Sequence, residues 1–281
     1  MSWATSAMTS TLVRSSAVID FAAGVQGRYS APVVSPVFLQ YEPNNGDHTV
    51  HECTNTKQKE QHFKGGCTKF SHEEIQRLRM DMYDTFAMTW ASEAFETCNI
   101  ILRLRGLHGL SKKPVVTDAT SGCGGNVIQF ACCEGFGHVN AVELNEDRCK
   151  KFLTHNVNTA LSLRSDRNNA EVKIICGDYL EYMKTLRQHV VFLAPPWGGP
   201  EYDTEEHCVL RLGRKHIADI VAELYEHKNK NLTQYVVIMT PCNFDVDDMQ
   251  EKLTEQSDLK IKLLATFPKW TLHVVSFYKS L

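Results

Sequence analysis

Val115-Val116-Thr117-Asp118-Ala119-Thr120-Ser121-Gly122-Cys123-Gly124-Gly125-Asn126, running on into Val127-Ile128-Gln129-Phe130-Ala131, decides the fold. An apolar, β-branched run after Pro114 ends in an acid, a glycine-rich turn follows, and apolar residues then resume at helical spacing. That is a strand, a tight loop and a helix N-terminus. Glycines in such a loop let polar groups approach backbone N–H donors, and the helix dipole favours a carboxylate nearby. The dinucleotide fingerprint is not met, because Val127 stands where its third glycine belongs. A phosphate-binding loop is excluded, because no Gly-Lys-Ser/Thr follows.

Working outward, two more acids close two more strands. Val139-Asn140-Ala141-Val142-Glu143 ends in a carboxylate suited to accept both hydroxyl hydrogen bonds of a ribose. Val172-Lys173-Ile174-Ile175-Cys176-Gly177-Asp178-Tyr179 ends in Gly-Asp, where Asp178 is either a helix N-cap or an acceptor for the amino hydrogens of an adenine. A fourth apolar run, Val190-Val191-Phe192-Leu193, leads into Ala194-Pro195-Pro196-Trp197-Gly198-Gly199-Pro200-Glu201-Tyr202. Two consecutive prolines fix φ and exclude helix for the residue before each. Trp197 is thereby presented on a stiff loop at a strand's carboxyl end, the edge where open α/β sheets bind ligands, and it suits stacking on a planar ring. One acid per successive strand–helix junction, with the Pro-Pro-Trp loop next, is an order that a core Trp in a proline-rich turn does not predict.

From Asp118 to Tyr202 the chain resembles the catalytic core of the trimethylguanosine synthase family. The likeness rests on Asp118, on Ser121 to Asn126 against a Cys-Gly-x-Gly-Gly-Asn loop, and on Ile128-Gln129-Phe130-Ala131. It extends to Cys176-Gly177-Asp178 and to the highly specific Pro195 to Tyr202 motif. The resemblance implies a class I, Rossmann-like α/β methyltransferase with a seven-stranded sheet whose last strand is antiparallel, carrying a helical N-terminal extension. It implies S-adenosylmethionine as cofactor, with Asp118, Thr120, Gly122, Gly124, Asn126, Glu143, Asp178, Tyr179 and Ala194 at its site. It places the chemistry at Pro195, Pro196 and Trp197, and the substrate against Trp197, Gly198, Tyr202, Asn243 and Trp90, with no metal. The substrate it implies is the 7-methylguanosine cap of a small nuclear, nucleolar or spliced-leader type RNA, methylated at the guanine 2-amino group. A nuclear or cytoplasmic location follows from that substrate.

Departures from the family pattern cluster around the substrate. Trp90-Ala91-Ser92-Glu93-Ala94-Phe95-Glu96 stands for Trp-Phe-Ser-Val-Thr-Pro-Glu, Ala194 for a Ser, and Pro241-Cys242-Asn243 for Pro-Arg-Asn. Arg211, Lys215 and Lys269 are candidates to replace that Arg on the cap phosphates. Two alternative readings therefore stand beside the cap enzyme. One is a catalytically weak paralogue that binds caps or RNA as a module, and the other is an amino-methyltransferase for an internal RNA base.

Composition agrees with an enzyme that reads a short feature. The 281 residues suffice for one sizeable α/β domain plus an appendage, and 43% hydrophobic residues fill a core. Lys+Arg 30 against Asp+Glu 33 is near neutral, unlike proteins that hold a long nucleic-acid backbone. Ten cysteines without a secretory signal or framework spacing read as reduced thiols. No apolar stretch has the length of a membrane span.

Three parts are expected: 1–70, a disordered or targeting segment; 71–110, a helical subdomain; and 111–281, the Rossmann-like domain. Met1 to Pro36 carries only two arginines and one acid, which favours a disordered tail over a transit peptide. His48, His51, Cys53, His62, Cys67 and His72 match no zinc finger or ribbon spacing. Ser71-His72-Glu73-Glu74 reads as a capping box, followed by a core stripe of Ile75, Leu78, Met82 and Phe86, with Trp90 also assigned to the core or to the cap pocket. Toward the C-terminus, 214–227 reads as a helix, 235–239 as a buried strand, and 261–267 and 271–278 as a closing antiparallel hairpin.

Overall fold

The computed structural model describes residues 50–106, 110–164, 169–199, 202–204 and 206–278, and the reading of 1–36 as a tail falls outside them. Strands β1 (Val115–Asp118), β2 (His138–Glu143), β3 (Glu171–Cys176) and β4 (Val190–Leu193) run parallel. A two-residue ribbon, β5 (Arg211–Leu212) and β6 (Lys215–His216), precedes β7 (Tyr235–Pro241), β8 (Ile261–Thr266) and β9 (Trp270–Ser276). The main sheet has seven strands in the order β3-β2-β1-β4-β7-β9-β8, with β9 antiparallel to both of its neighbours. This is the class I methyltransferase arrangement that the motifs imply. β4 and β7 are buried at every position, as central parallel strands covered on both faces must be.

Strand order reverses beside β1, since the chain moves outward through β2 and β3 and then returns to β4 on the other side. The crevice at that reversal opens at the carboxyl ends of the strands. Register aligns Asp118 with Ala141 and Phe192, and Glu143 with Cys176, so the acids and the Pro-Pro-Trp loop emerge at one edge.

Helices cover both faces. α1 (Thr56–Phe63), α2 (His72–Gln76), α3 (Asp84–Ala87) and α4 (Ala91–Arg103) lead into β1, and α5 (Gly125–Cys132) follows the glycine turn. α6 (Glu146–Arg148) passes through a π-turn at Cys149–Leu153 into α7 (Thr154–Leu163), and α8 (Tyr179–Tyr182) is a single turn. α9 (Ile217–Glu226), α10 (Lys228–Asn231) and α11 (Val246–Gln256) complete the other face. One apolar cluster joins Phe63, Ile75, Leu78 and Ile101 to Phe130 and Phe192; a second joins Tyr179, Leu193, Ile220 and Met249.

Several expectations are corrected. The first segment does not extend to residue 70: residues 50–70 include α1, capped by Asn55, and bridge to the following part through Glu52 and Asp81. At Gly66 (φ +60°) an added Cβ would lie 2.3 Å from the Phe95 Cβ, so this turn is pressed against α4. The capping box forms, but α2 ends at Gln76; with the helix broken, Ile75 and Leu78 are buried while Met82 and Phe86 are exposed. The helix expected from residue 214 begins at Ile217, because Gly213 (φ +59°) turns the chain into the short ribbon instead. Four of the ten cysteines are not thiols: Cys67 pairs with Cys133 and Cys149 with Cys176. Such pairing depends on which sulfurs the folded chain brings together, which sequence spacing does not show. No helix among the described residues is long and apolar enough to cross a membrane.

Candidate active site

Asp118 ends β1 fully buried and accepts a hydrogen bond from the Thr120 amide at 3.1 Å. Burial pushes its carboxyl up to about 7; the Thr120 N–H opposes that rise and the negative charge of Glu143 adds to it. The turn continues the sheet's pairing on both sides, with Ala119 N–H donating to Phe192 O and Ser121 N–H to Val142 O. Gly122 (φ +53°) and Gly124 (φ +96°) adopt backbone conformations that favour glycine, and Gly124 is the N-cap of α5. Gly122 N–H donates to Glu143 Oε2 and Asn145 N–H to Oε1, each at 2.9 Å. The acid of the second strand is thereby oriented by the loop of the first.

The Pro-Pro-Trp loop is tied to the same turn. Ala194 N–H donates to Thr120 Oγ1 at 3.0 Å, while Pro195 is buried and Gly198 exposed. Trp197 is half-buried, packs against both apolar clusters and meets the Tyr202 ring edge-on, with centroids 5.0 Å apart. Asn243 Nδ2 holds the Tyr202 carbonyl at 2.9 Å, so it fixes the turn that carries Tyr202. Desolvation, with Asp203, Cys242 and Cys208 nearby, raises the Tyr202 phenol above its usual range, which keeps it a neutral donor.

Some predicted residues serve differently. Tyr179 is a core residue: its ring is buried in the second cluster and its hydroxyl donates to Gln188, which precedes β4 at the opposite end of the sheet, so its side chain is removed from the cofactor set. Asp178 accepts the Leu180 amide hydrogen through Oδ1 at 2.9 Å and so caps α8. Trp90 is 47% exposed, not core. Lys215 is paired with Glu223, as is Lys184, while Lys269 sits exposed at the hairpin tip. His48 lies outside the described residues; of the other histidines and cysteines singled out before α4, Cys67 is in a disulfide, His62 faces Thr89 O and His72 faces Glu60.

Residues that sequence reasoning missed include a strip of the N-terminal arm and Leu144 after β2. A Cβ on Gly125 would lie 3.0 Å from Met88 Cγ, and one on Gly122 would lie 3.4 Å from Asp84 Oδ1, so 84–88 cover the glycine turn. Asp84 is wholly buried, which lifts its carboxyl to about 6, against the pull of Arg148. Leu144, beside Glu143, is 55% exposed, an apolar surface at the mouth of the crevice. The one hint in the sequence was a large apolar residue directly after the strand-ending acid.

The site fits S-adenosylmethionine. Asn126 donates to Thr89 Oγ1 and keeps a buried Oδ1 without a partner, an acceptor that suits an ammonium group. Glu143 retains two open lone-pair sites for a diol, and the glycine turn leaves room for a backbone approach. Among the described residues no cluster of His, Cys, Asp and Glu has the makings of a metal site.

Comparison with known proteins agrees with this geometry. The sequence profile described as RNA cap guanine-N2 methyltransferase matches residues 113–275, more than half of the chain. An uncharacterized protein, L320, of Acanthamoeba polyphaga mimivirus is 28% identical over 223 residues, covering 73% of this chain and 81% of that protein. The trimethylguanosine synthase of Schizosaccharomyces pombe is 29% identical over 140 residues, 48% of this chain, and the match spans about half (53%) of that protein. Among solved structures, magnesium protoporphyrin IX methyltransferase from Synechocystis has a TM-score of 0.44 at 11% identity, covering 79% of this chain and 91% of that one. The turn at Asp118 to Asn126, the carboxylate of Glu143, the Pro-Pro-Trp loop and the matched profile lead to one assignment: the chain belongs to the RNA cap guanine-N2 methyltransferase family and uses S-adenosylmethionine as its methyl donor.

Proposed function

We propose that this enzyme methylates the exocyclic 2-amino group of a 7-methylguanosine RNA cap. The observation that carries the reading is the Trp197 ring, held by both apolar clusters and by Tyr202 three residues beyond the Thr120–Ala194 tie. Methylation at N7 makes guanine cationic, and a cation over an indole face gains about 0.5–2 kcal/mol. That preference favours a pre-methylated cap over plain guanosine.

When bound, S-adenosylmethionine supplies an already activated methyl group on a sulfonium. The chain's own task is orientation. A guanine 2-amino nitrogen is a poor nucleophile because its lone pair is delocalised into the ring. In this reading the Pro195 carbonyl accepts one amino hydrogen and turns the lone pair toward the methyl group, while Pro196 keeps that carbonyl rigid. Asn243 fixes Tyr202, whose neutral hydroxyl donates toward the first phosphate. The proposed substrates are capped small nuclear, nucleolar or spliced-leader type RNAs, and the proposed location is the nucleus. In a reducing compartment of that kind the two disulfide pairs would stand as thiols.

A second reading, a cap-binding module with little turnover, is favoured by Ala194, which offers no hydroxyl beside the acceptor amine, and by the exposed Cys242 where the family carries Arg. Incubation with labelled S-adenosylmethionine and, separately, 7-methylated cap dinucleotide, unmethylated cap dinucleotide and adenosine-bearing RNA distinguishes them. Transfer to the 7-methylated cap alone supports the proposal. Cofactor binding without transfer supports the module, and transfer to the adenosine RNA supports an internal-base enzyme.

A further inference from the structure

Arg148 stands between the carboxylate of the cofactor site and the N-terminal arm. It lies in α6, five residues beyond Glu143, with its side chain 14% exposed. The guanidinium meets Asp81 Oδ2 at 2.8 Å and Glu143 Oε1 at 3.5 Å, and lies over the Tyr83 ring, 5.5 Å from its centroid. Asp81 is held from the other side by the His51 amide, which donates to Oδ1 at 3.2 Å. Asp84 is the third carboxylate facing the same cation, and its Oδ1 lies close over Gly122. One buried guanidinium therefore serves acids from two separate parts of the chain. Burying a charge is costly, and a pair of this kind adds little to stability that an apolar pair would not match, so its retention beside a binding site calls for a local reason.

Glu143 supplies that reason. A carboxylate offers about four lone-pair sites. Gly122 and Asn145 amides take one on each oxygen, and Arg148 at 3.5 Å contributes charge without occupying another at hydrogen-bond distance. Two acceptor sites remain, the number that a vicinal diol uses. When Cys149 and Cys176 are oxidised, their bond also anchors the turn that carries Arg148 to the end of β3.

We propose that Arg148 is a positioning residue for cofactor binding. It holds Glu143 aimed at the ribose diol, and through Asp81 it is tied to the arm over the glycine turn. This rests on the cofactor assignment and not on the methyl acceptor, so a negative cap assay leaves it standing.

The test is calorimetric binding of S-adenosylhomocysteine and of its 2′,3′-dideoxy analogue to the full chain, to Arg148→Met, Arg148→Lys and Asp81→Asn. Arg148→Met should weaken binding of the diol-bearing ligand roughly tenfold to a hundredfold, the range expected for losing a charged hydrogen-bonding partner. The dideoxy analogue should bind the wild type and the variant alike, the coupling expected when the residue and the ligand group act through one intermediary. Arg148→Lys should recover part of the loss, and Asp81→Asn should show a smaller loss confined to the diol ligand. Equal losses for both ligands, or none for either, would overturn the proposal. If Arg148→Met does not fold, Arg148→Lys and Asp81→Asn decide by the same comparison. Failure of the wild type to bind S-adenosylhomocysteine would overturn the cofactor assignment and this proposal with it.

Discussion

Ala194 donates its amide hydrogen to Thr120 Oγ1 across 3.0 Å, and this one bond joins the loop after the first strand to the loop after the fourth. In the proposed reaction the first loop holds the methyl donor and the second the acceptor, so the bond would set the distance between reactants. Thr120→Val keeps the shape and removes the acceptor. Misplacement on the ångström scale costs up to about a hundredfold in rate. The expected outcome is a turnover number lowered about tenfold to a hundredfold with cofactor affinity changed less than about threefold. Equal losses in both would show that Thr120 acts on the cofactor instead.

Asp118 predicts a pH signature. Burial lifts its carboxyl from the ordinary 3.8 to about 7, so the folded chain binds this proton more tightly than the unfolded chain does. The associated stability is fully present below about 3.8 and is lost as the pH rises through about 7. Asp118→Asn removes the titration. In cofactor-free protein the melting temperature of the variant, relative to wild type, should therefore climb between those two values. A difference that stays flat across the window would refute the shifted carboxyl.

Trp197 is exposed to a sharper comparison. Trp197→Ala should weaken a 7-methylated cap about twofold to thirtyfold and erase the preference over an unmethylated cap, while cofactor affinity stays nearly constant. Trp197→Phe should keep part of the preference. Parallel loss of cofactor and cap in a titration would mark the indole as a packing element.

Thiol chemistry gives a further check. Non-reducing peptide mapping should recover the Cys67–Cys133 and Cys149–Cys176 pairs, and thiol labelling of the native chain should find one fast site, the exposed Cys242, because the other five free cysteines are buried. Burial also pushes the Cys132 thiol up to about 11, which slows it further. Rapid labelling of Cys176 in oxidised protein would contradict the second pair.

The strands were legible because their signals are local. Val115–Asp118, Val190–Leu193 and the run from Tyr235 are apolar and β-branched, and the acids that end β1 and β2 arrive with them. The arm was not legible in the same way. Its stripe of Ile75, Leu78, Met82 and Phe86 has helical spacing, yet the helix stops at Gln76 and the last two residues turn outward. Arg148 and Asp81 lie 67 positions apart, and nothing local in either stretch indicates that they meet. The resemblance placed Tyr179 at the site beside Asp178, but consecutive residues around a helix start face different ways, and the Tyr179 ring faces the core.

The Cys67–Cys133 bond has a consequence for chain topology. Its partners are 66 positions apart, and the segment between them includes α2, α3, α4, β1, the whole glycine turn and α5. When oxidised, that segment is a closed ring, worth about 4 kcal/mol in the chain-entropy account of a loop of this size. A protease nick within the ring would leave both fragments covalently joined, so the strip of chain over the glycine turn could loosen without escaping. Only reduction and cleavage together would release it.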